Sequence, residues 1–228
     1  MKYLLTLLVS LLYLPSFAQQ MSYKEWQEQA KNEINMQPEY GNVPKSQSQI
    51  DADKEFIKTC LKEDGTNKKA SEHLVSLGFT YLYRGDLKTA MNRFNQAWLL
   101  DPKNENSYWG YASVYFSFND YDEALKQLDK GLVINPNSSN ILTDKATIYT
   151  GLFVNKHDIS YLNKAIELFN ASYKIDSSNQ NMLFKLSVAY FYNKDCANAW
   201  KFYDECMKLG GKPISPAYTA ALKQQCNR

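Results

Sequence analysis

The sequence has 228 residues, of which 22% are charged and 14% are aromatic, and its formal net charge is +2. This composition is typical of a globular protein and excludes a disordered or low-complexity chain. The basic residues form no stripe along the sequence, so we do not expect nucleic acid as a partner.

The first 18 residues are predicted to be a secretory signal peptide. Lys2 gives a positive start, residues 3–14 form an apolar run, and Ser16 and Ala18 are the small residues of a cleavage site. The run is shorter than the roughly 20 residues that a transmembrane helix needs; a buried or anchoring helix is the alternative. No Cys follows the expected cleavage site, and no later segment is apolar enough to cross a membrane. We therefore expect a secreted protein, periplasmic or extracellular, that is not inserted in a membrane after cleavage.

Residues 19–70 are predicted to contain two helices joined by a loop. Apolar residues recur at i, i+4 and i+8 between residues 23 and 35, beginning at Trp26, which favours a helix. Two prolines and a glycine predict a loop over residues 37–48. A second helix is expected over residues 51–62, because its apolar side chains fall on one side.

From residue 71 onward the sequence repeats itself with a period of 34 residues, and each copy contains two helical patterns. The first pattern of the first copy has the spacing i, i+3, i+4 and i+7 of one helix face. Its members are Leu74, Leu77, Gly78 and Tyr81. The four copies cover residues 71–104, 105–138, 139–179 and 180–211. The third copy carries seven extra residues around 153–160, which we place between its two helices.

This pattern resembles the tetratricopeptide repeat family, whose 34-residue helix-turn-helix motif reads L-G-x-x-Y, then A-x-x-x-F-x-x-A, then Pro. The first copy matches this motif closely from Leu77 to Pro102, whereas the fourth has Gly211 in place of the closing proline and Cys206 in place of a small residue. The resemblance implies an all-α fold, a right-handed superhelix of repeats known as an α-solenoid. An ordinary helical bundle is the alternative.

Two flanking segments are expected to cover the ends of the solenoid, because terminal repeats otherwise expose an apolar face. Phe56 and Cys60 stand 34 residues before Ala90 and Phe94 but in the wrong size order. The helix over residues 51–62 is therefore predicted to be a cap or a packed flanking element and not a fifth repeat. Residues 212–228 are predicted to form a C-terminal capping helix.

Secretion permits disulfides among the four cysteines. The turn at Gly210 and Gly211 lies midway between Cys196 and Cys226, so antiparallel helices on either side of it bring these two thiols level. We hypothesise a Cys196–Cys226 disulfide, which contributes about 3–4 kcal/mol in the loop-entropy model. The alternative is that all four thiols are free.

The resemblance also implies where a ligand binds. In this family the inner groove is lined by the first helix of each repeat, and the equivalent positions here are rich in aromatic and amide side chains. The candidate groove residues are Phe79, Tyr83, Asn106, Trp109, Phe116, Asn140, Asn181, Phe184, Phe191 and Tyr192. Aromatic side chains are frequent anchors of protein interfaces, and amides can hydrogen-bond an extended backbone. The alternative is that Trp26, Ile34 or the helix over residues 51–62 folds into the groove and covers these aromatic side chains.

The sequence contains no catalytic motif that we recognise, and neither its histidines nor its cysteines have metal-ligand spacing. The basic clamp of chaperone-binding family members is also absent. We therefore predict a non-enzymatic protein, with no metal or cofactor, that binds a protein or peptide. One alternative is an inhibitor or immunity-type protein that blocks a secreted enzyme, using the insertion with His157 at its tip. Another is a non-catalytic subunit of an envelope assembly or secretion complex.

Overall fold

The structure is a computed structural model that describes residues 21–227. Within that range every regular element is helical, which confirms the predicted all-α fold class. The signal peptide predicted for residues 1–18 lies outside the described residues. No helix of the described range is both long and apolar enough to span a membrane.

The helices are α1 (Tyr23–Ala30), α2 (Gln47–Asp64), α3 (Asn67–Tyr83), α4 (Leu87–Leu100), α5 (Glu105–Ser117), α6 (Tyr121–Ile134), α7 (Ser139–Lys156), α8 (Ile159–Ile175), α9 (Gln180–Tyr192), α10 (Cys196–Lys208) and α11 (Pro216–Cys226), with 3-10 turns at Ile34–Met36 and Pro38–Asn42.

Helices α3 to α10 form four antiparallel hairpins stacked in chain order. Each hairpin packs its two helices together, and each second helix also contacts the first helix of the next hairpin. Asp86, Asp120 and Asp195 begin the second helices α4, α6 and α10, and each side chain accepts a hydrogen bond from a backbone N–H in the first turn. Such caps satisfy a donor that the helix itself leaves unpaired. Because the hairpins stack in the same orientation, the first helices lie along one face of the stack and the second helices along the other.

Small residues let neighbouring helices approach closely where the hairpins meet. Phe94 of α4 is fully buried, and its ring lies against Gly78 of α3 and Gly110 of α5. A Cβ atom added at either glycine would overlap the Phe94 ring. Only glycine at these two positions therefore leaves room for the Phe94 ring to pack against both α3 and α5.

The extra residues of the third repeat lengthen both of its helices, so our expectation of an insertion between the helices is corrected. Helix α7 has 18 residues against 13 in α5 and α9, and α8 has 17 against 14 in α6. The turn that joins α7 to α8 is only His157 and Asp158, with His157 at φ 55°. The added turns find packing partners, because the Phe153 ring contacts that of Tyr192 at a centroid distance of 5.8 Å.

The N-terminal segment packs on the second helices. Trp26 is buried in a cluster with Leu87 and Met91 of α4, and its ring lies 5.2 Å from that of Phe118. Both 3-10 turns contact α4. Helix α2 packs on α3 through Phe56 and other apolar side chains, as a second helix packs on the next repeat. The alternative in which Trp26 or α2 fills the groove is therefore wrong.

The opposite end of the stack is covered by α11. Leu222 of this helix is fully buried, and a disulfide joins Cys196 at the start of α10 to Cys226 at the end of α11, with their Cα atoms 5.4 Å apart. This is the pairing that we hypothesised from the sequence. Cys60 and Cys206 are free thiols, and both are buried.

Candidate functional site

The first helices α5, α7 and α9 form a groove, and the groove deepens into a cleft over α7, between α5 and α9. The cleft has a volume of about 390 Å³ and is open to solvent. Its apolar lining includes Phe116, Tyr121, Gly151, Val154, Val188 and Tyr192. A narrower pocket of about 80 Å³ lies beside it and reaches Leu128 and Ile148 of the core.

A chain of contacts centred on Trp109 crosses the groove and joins all four first helices. The Trp109 ring packs 4.4 Å from the ring of Phe79 in α3. Its indole Nε1–H donates a 2.7 Å hydrogen bond to Asp144 of α7, and the Lys185 ammonium of α9 lies 3.4 Å from the other carboxylate oxygen. The two charges on the groove floor therefore neutralise each other, and Trp109 is held in one orientation.

The predicted groove residues form two rows at opposite sides of the groove. Asn106, Asn140 and Asn181 stand in the first turns of α5, α7 and α9. Aromatic side chains stand at or near the other ends of the first helices. Tyr83 is 82% exposed, Phe116 40% and Tyr192 41%. These exposed rings are free to contact a partner along one side, with amide groups along the other.

Besides Trp109, three predicted groove residues pack against other side chains of the protein. The Phe184 and Phe191 rings pack edge-on against Tyr218 of α11, at centroid distances of 5.4 and 5.8 Å. The Tyr218 hydroxyl also lies 2.6 Å from the Ser187 hydroxyl. Phe79 is held between Phe94 and Trp109. These residues shape and support the groove, and the capping helix covers its last repeat.

Burial determines the ionisation state of Tyr218, at the end of the groove that α11 covers. Desolvation raises the pKa of Tyr218 to about 12, and its hydrogen bond with Ser187 offsets part of that effect. The Tyr218 phenol is therefore neutral at physiological pH and serves as a hydrogen-bonding and packing group. In the described part of the chain, no three or more His, Cys, Asp or Glu side chains are grouped to hold a metal ion.

Sequence reasoning missed three residues of this site: Asp144, Lys185 and Tyr121. Asp144 and Lys185 occupy the sixth position of consecutive repeats. Opposite charges at one repeat position are a signal that the sequence does contain, because equivalent positions of neighbouring repeats lie side by side. Tyr121 belongs to the second helix α6 and reaches the cleft from the side, which the repeat pattern does not indicate.

Comparisons with known proteins agree with this architecture. Residues 81–146 match a family model described as "Tetratricopeptide repeat". Among curated proteins, TPR repeat-containing protein MJ1428 of Methanocaldococcus jannaschii is 25% identical over 170 residues, which are 73% of this chain. The match spans only 28% of that relative, so the chain corresponds to about a quarter of its length.

Two solved structures are similar in fold. A thermophilic TPR protein of Thermus thermophilus superposes with a TM-score of 0.56 at 14% identity, covering 68% of this chain and 80% of that one. The crystal structure of MamA superposes with a TM-score of 0.50 at 20% identity, covering 69% and 86%. At these identities the likeness shows the fold alone, which is the stacked helical hairpins of an α-solenoid.

Proposed function

Because the chain is a tetratricopeptide repeat protein, we propose that it is a non-enzymatic scaffold that binds a protein or peptide in the groove of α5, α7 and α9. The observation that carries this proposal is the placement of the N-terminal segment. Trp26 and both 3-10 turns pack on α4, on the other side of the stack. The groove and the exposed rings of Phe116 and Tyr192 are therefore left for a partner.

The two rows of the groove suit an extended segment of a partner. Exposed aromatic side chains bury large areas at little entropic cost and act as anchors in interfaces. The amides of Asn106, Asn140 and Asn181 each offer a donor and an acceptor to a backbone that lies along the row. A short extended ligand held in this way binds with roughly micromolar affinity.

We place this scaffold in the periplasm or outside the cell. The N-terminal sequence has the features of a signal peptide, and the Cys196–Cys226 disulfide is a bond that persists in oxidising compartments. The predicted signal peptide and the disulfide both support this placement. Fractionation of cells that produce the full chain tests this placement, and recovery of the protein in the cytoplasm contradicts it.

Groove binding is tested with a partner isolated by crosslinking from the secreted or periplasmic fraction of the native host. The double variant Phe116→Ala/Tyr192→Ala removes two exposed rings of the groove. Val133→Ala/Ile175→Ala is the matched control, because both side chains are exposed at the ends of the second helices. We expect calorimetry with the purified partner to show at least a tenfold loss of affinity for the groove variant only. Equal losses, or none, contradict the proposal.

One observation favours a second candidate, an inhibitor or immunity-type protein. The helical extension of α7 and α8 exposes Val154 and Ile159, at 43% and 53%, on either side of the turn at His157. A deletion of residues 153–159 restores the 34-residue period of the other repeats. If the same partner is lost by this deletion and kept by the groove variant, the extension is the binding surface. A subunit of an envelope complex is distinguished by co-purification of several partners in constant ratio.

A further inference from the structure

The lengthened helix α7 builds a wall of the cleft that the other first helices do not provide. Helices α5 and α9 end at the thirteenth repeat position, whereas α7 continues for five residues beyond the equivalent Gly151. Val154, in this extension, lines the cleft together with Tyr121 and Tyr192. The depth of the cleft is therefore a property of this third repeat and does not follow from the general repeat pattern.

Gly151 leaves the space inside the cleft open. The equivalent positions of the other repeats carry Tyr83, Ser117 and Tyr192. A Cβ atom placed on Gly151 would have only the Tyr121 ring within 4 Å, with the hydroxyl at 3.7 Å. The cleft therefore has room for a side chain that the protein itself does not supply.

The chemistry of the lining is apolar and electrically neutral. The charged residues among the linings of the cleft and its neighbouring pocket are Asp144 and Lys185, and they pair with each other. The hydroxyls of Thr147 and Thr150 donate to carbonyls of their own helix at 2.8 and 3.0 Å. A charged ligand group would lose its hydration here without gaining an opposite charge, whereas an apolar group would be buried against Phe116, Val154 and Tyr192.

We propose that this cleft receives one aromatic or large aliphatic side chain of the bound protein or peptide, and that it thereby selects the ligand. The proposal rests on the groove-binding function and adds the residue class that the partner must present. The volume of the cleft, about 390 Å³, lies in the range of sites that hold small organic groups. The row of Asn106, Asn140 and Asn181 suits an extended segment, and the cleft suits one bulky apolar side chain at a fixed position in that segment.

The proposal is tested without knowledge of the partner, by nuclear magnetic resonance titration of the secreted form with simple probes. N-acetylphenylalanine amide represents the favoured side chain, N-acetylalanine amide lacks the ring, and cellohexaose tests stacking of a sugar. We expect only the phenylalanine probe to shift the Gly151 amide signal, with a Kd of roughly 1 mM. Equal binding of the alanine probe, tighter binding of cellohexaose at this cleft, or no binding overturns the proposal.

The variant Gly151→Leu is designed to fill the cleft and keep the helical backbone, because the nearest atom to an added Cβ is the Tyr121 hydroxyl oxygen, at 3.7 Å. Leucine also favours a helix more than glycine does, so the melting temperature is not expected to fall. Asn163→Leu adds the same side chain to the exposed surface of α8 and is the matched control. We expect at least a tenfold loss of phenylalanine-probe affinity for Gly151→Leu and none for the control. Retained affinity in Gly151→Leu overturns the assignment.

A displayed random peptide library separates this proposal from the groove function on which it rests. Peptides selected by the wild-type protein are measured again on Gly151→Leu and on the triple variant Asn106→Ala/Asn140→Ala/Asn181→Ala. Selected peptides that share a bulky apolar position and weaken on both variants support both proposals. If they weaken only on the triple variant, groove binding stands and the cleft assignment is wrong. If no peptide binds, both are wrong.

Discussion

At the residue scale, Asn95 of α4 holds the N-terminal segment on the repeats. Its fully buried side chain accepts hydrogen bonds from the Tyr40 backbone and the Tyr111 hydroxyl, and donates to the carbonyls of Asn35 and Gln37 at 3.0 and 2.9 Å. Asn95→Ala leaves these groups unsatisfied in the interior. We expect a loss of about 2–3 kcal/mol in the free energy of unfolding, measured in urea. Asn92→Ala on the same helix is the control, and an equal loss there contradicts this role.

Glu39 gives the same segment a pH-dependent contact. Burial alone raises its pKa, but hydrogen bonds from Lys130, Tyr108 and Asn42 outweigh burial, so the pKa lies below 4.5. Residues 39–42 all have positive φ, a conformation that costs energy for residues other than glycine, and these hydrogen bonds hold Glu39 within it. The carboxylate therefore contributes stability above pH 4.5, and this contribution is lost as the pH falls through the lower, folded-state pKa.

Glu39→Gln tests this contribution. We expect the variant to be less stable than the wild type at pH 7, and the difference between the two unfolding free energies to shrink as the pH falls below 4.5 and through the lower, folded-state pKa of Glu39. Glu55→Gln is the control, because Glu55 lies on the exposed surface of α2. A stability difference that stays constant with pH would show that the ionised carboxylate is not what stabilises the turn.

At the element scale, we expect the disulfide to contribute much of the attachment of α11, in addition to the packing of Tyr218 on α9. Leu222 is its only fully buried residue in the described structure, and an isolated helix of 11 residues is marginal in water. Cys226→Ser opens a loop that spans a sequence separation of 30 residues, at a cost of up to about 3–4 kcal/mol. We expect the amides of α11 to exchange much faster with solvent in the variant, with α3 to α6 unchanged. Unaltered exchange in α11 contradicts this dependence.

The elements also show how far the sequence predicts this fold and site. The starts of α4 and α10 are features that local sequence can predict, since Asp86 and Asp195 cap these helices through contacts within the first turn. The period revealed the extra residues of the third repeat but not their helical form, which depends on the contact of Phe153 with the distant Tyr192. In the same way, repeat position identified Phe184 as groove-facing, whereas only packing shows that Tyr218 covers it.

At the scale of the whole molecule, we expect the Trp109–Asp144–Lys185 chain to strengthen the coupling between the two halves of the stack. A solenoid unfolds cooperatively only as far as its repeats stabilise their neighbours, and at this junction the polar chain adds to the apolar packing of Leu128 in α6 against α7. Asp144→Ala removes the acceptor of the Trp109 indole and the partner of Lys185. We expect the free energy of unfolding to fall by about 1–2 kcal/mol and the urea transition to become broader. In hydrogen exchange, α7 to α10 are expected to open before α3 to α6.

The control for this coupling is Asp51→Ala, which removes the carboxylate that pairs with Lys54 within α2. The Asp51 side chain is 58% exposed and that of Lys54 is 65% exposed, and exposed ion pairs contribute little, so the transition is expected to remain sharp. The same chain of contacts crosses the floor of the groove beside the cleft. A ligand that bridges α5 and α7 through the cleft should therefore restore a single sharp transition to Asp144→Ala, because binding favours the state in which both halves are folded. If the ligand does not sharpen the urea transition of Asp144→Ala, ligand binding in the groove and the stability of the stack are independent of each other.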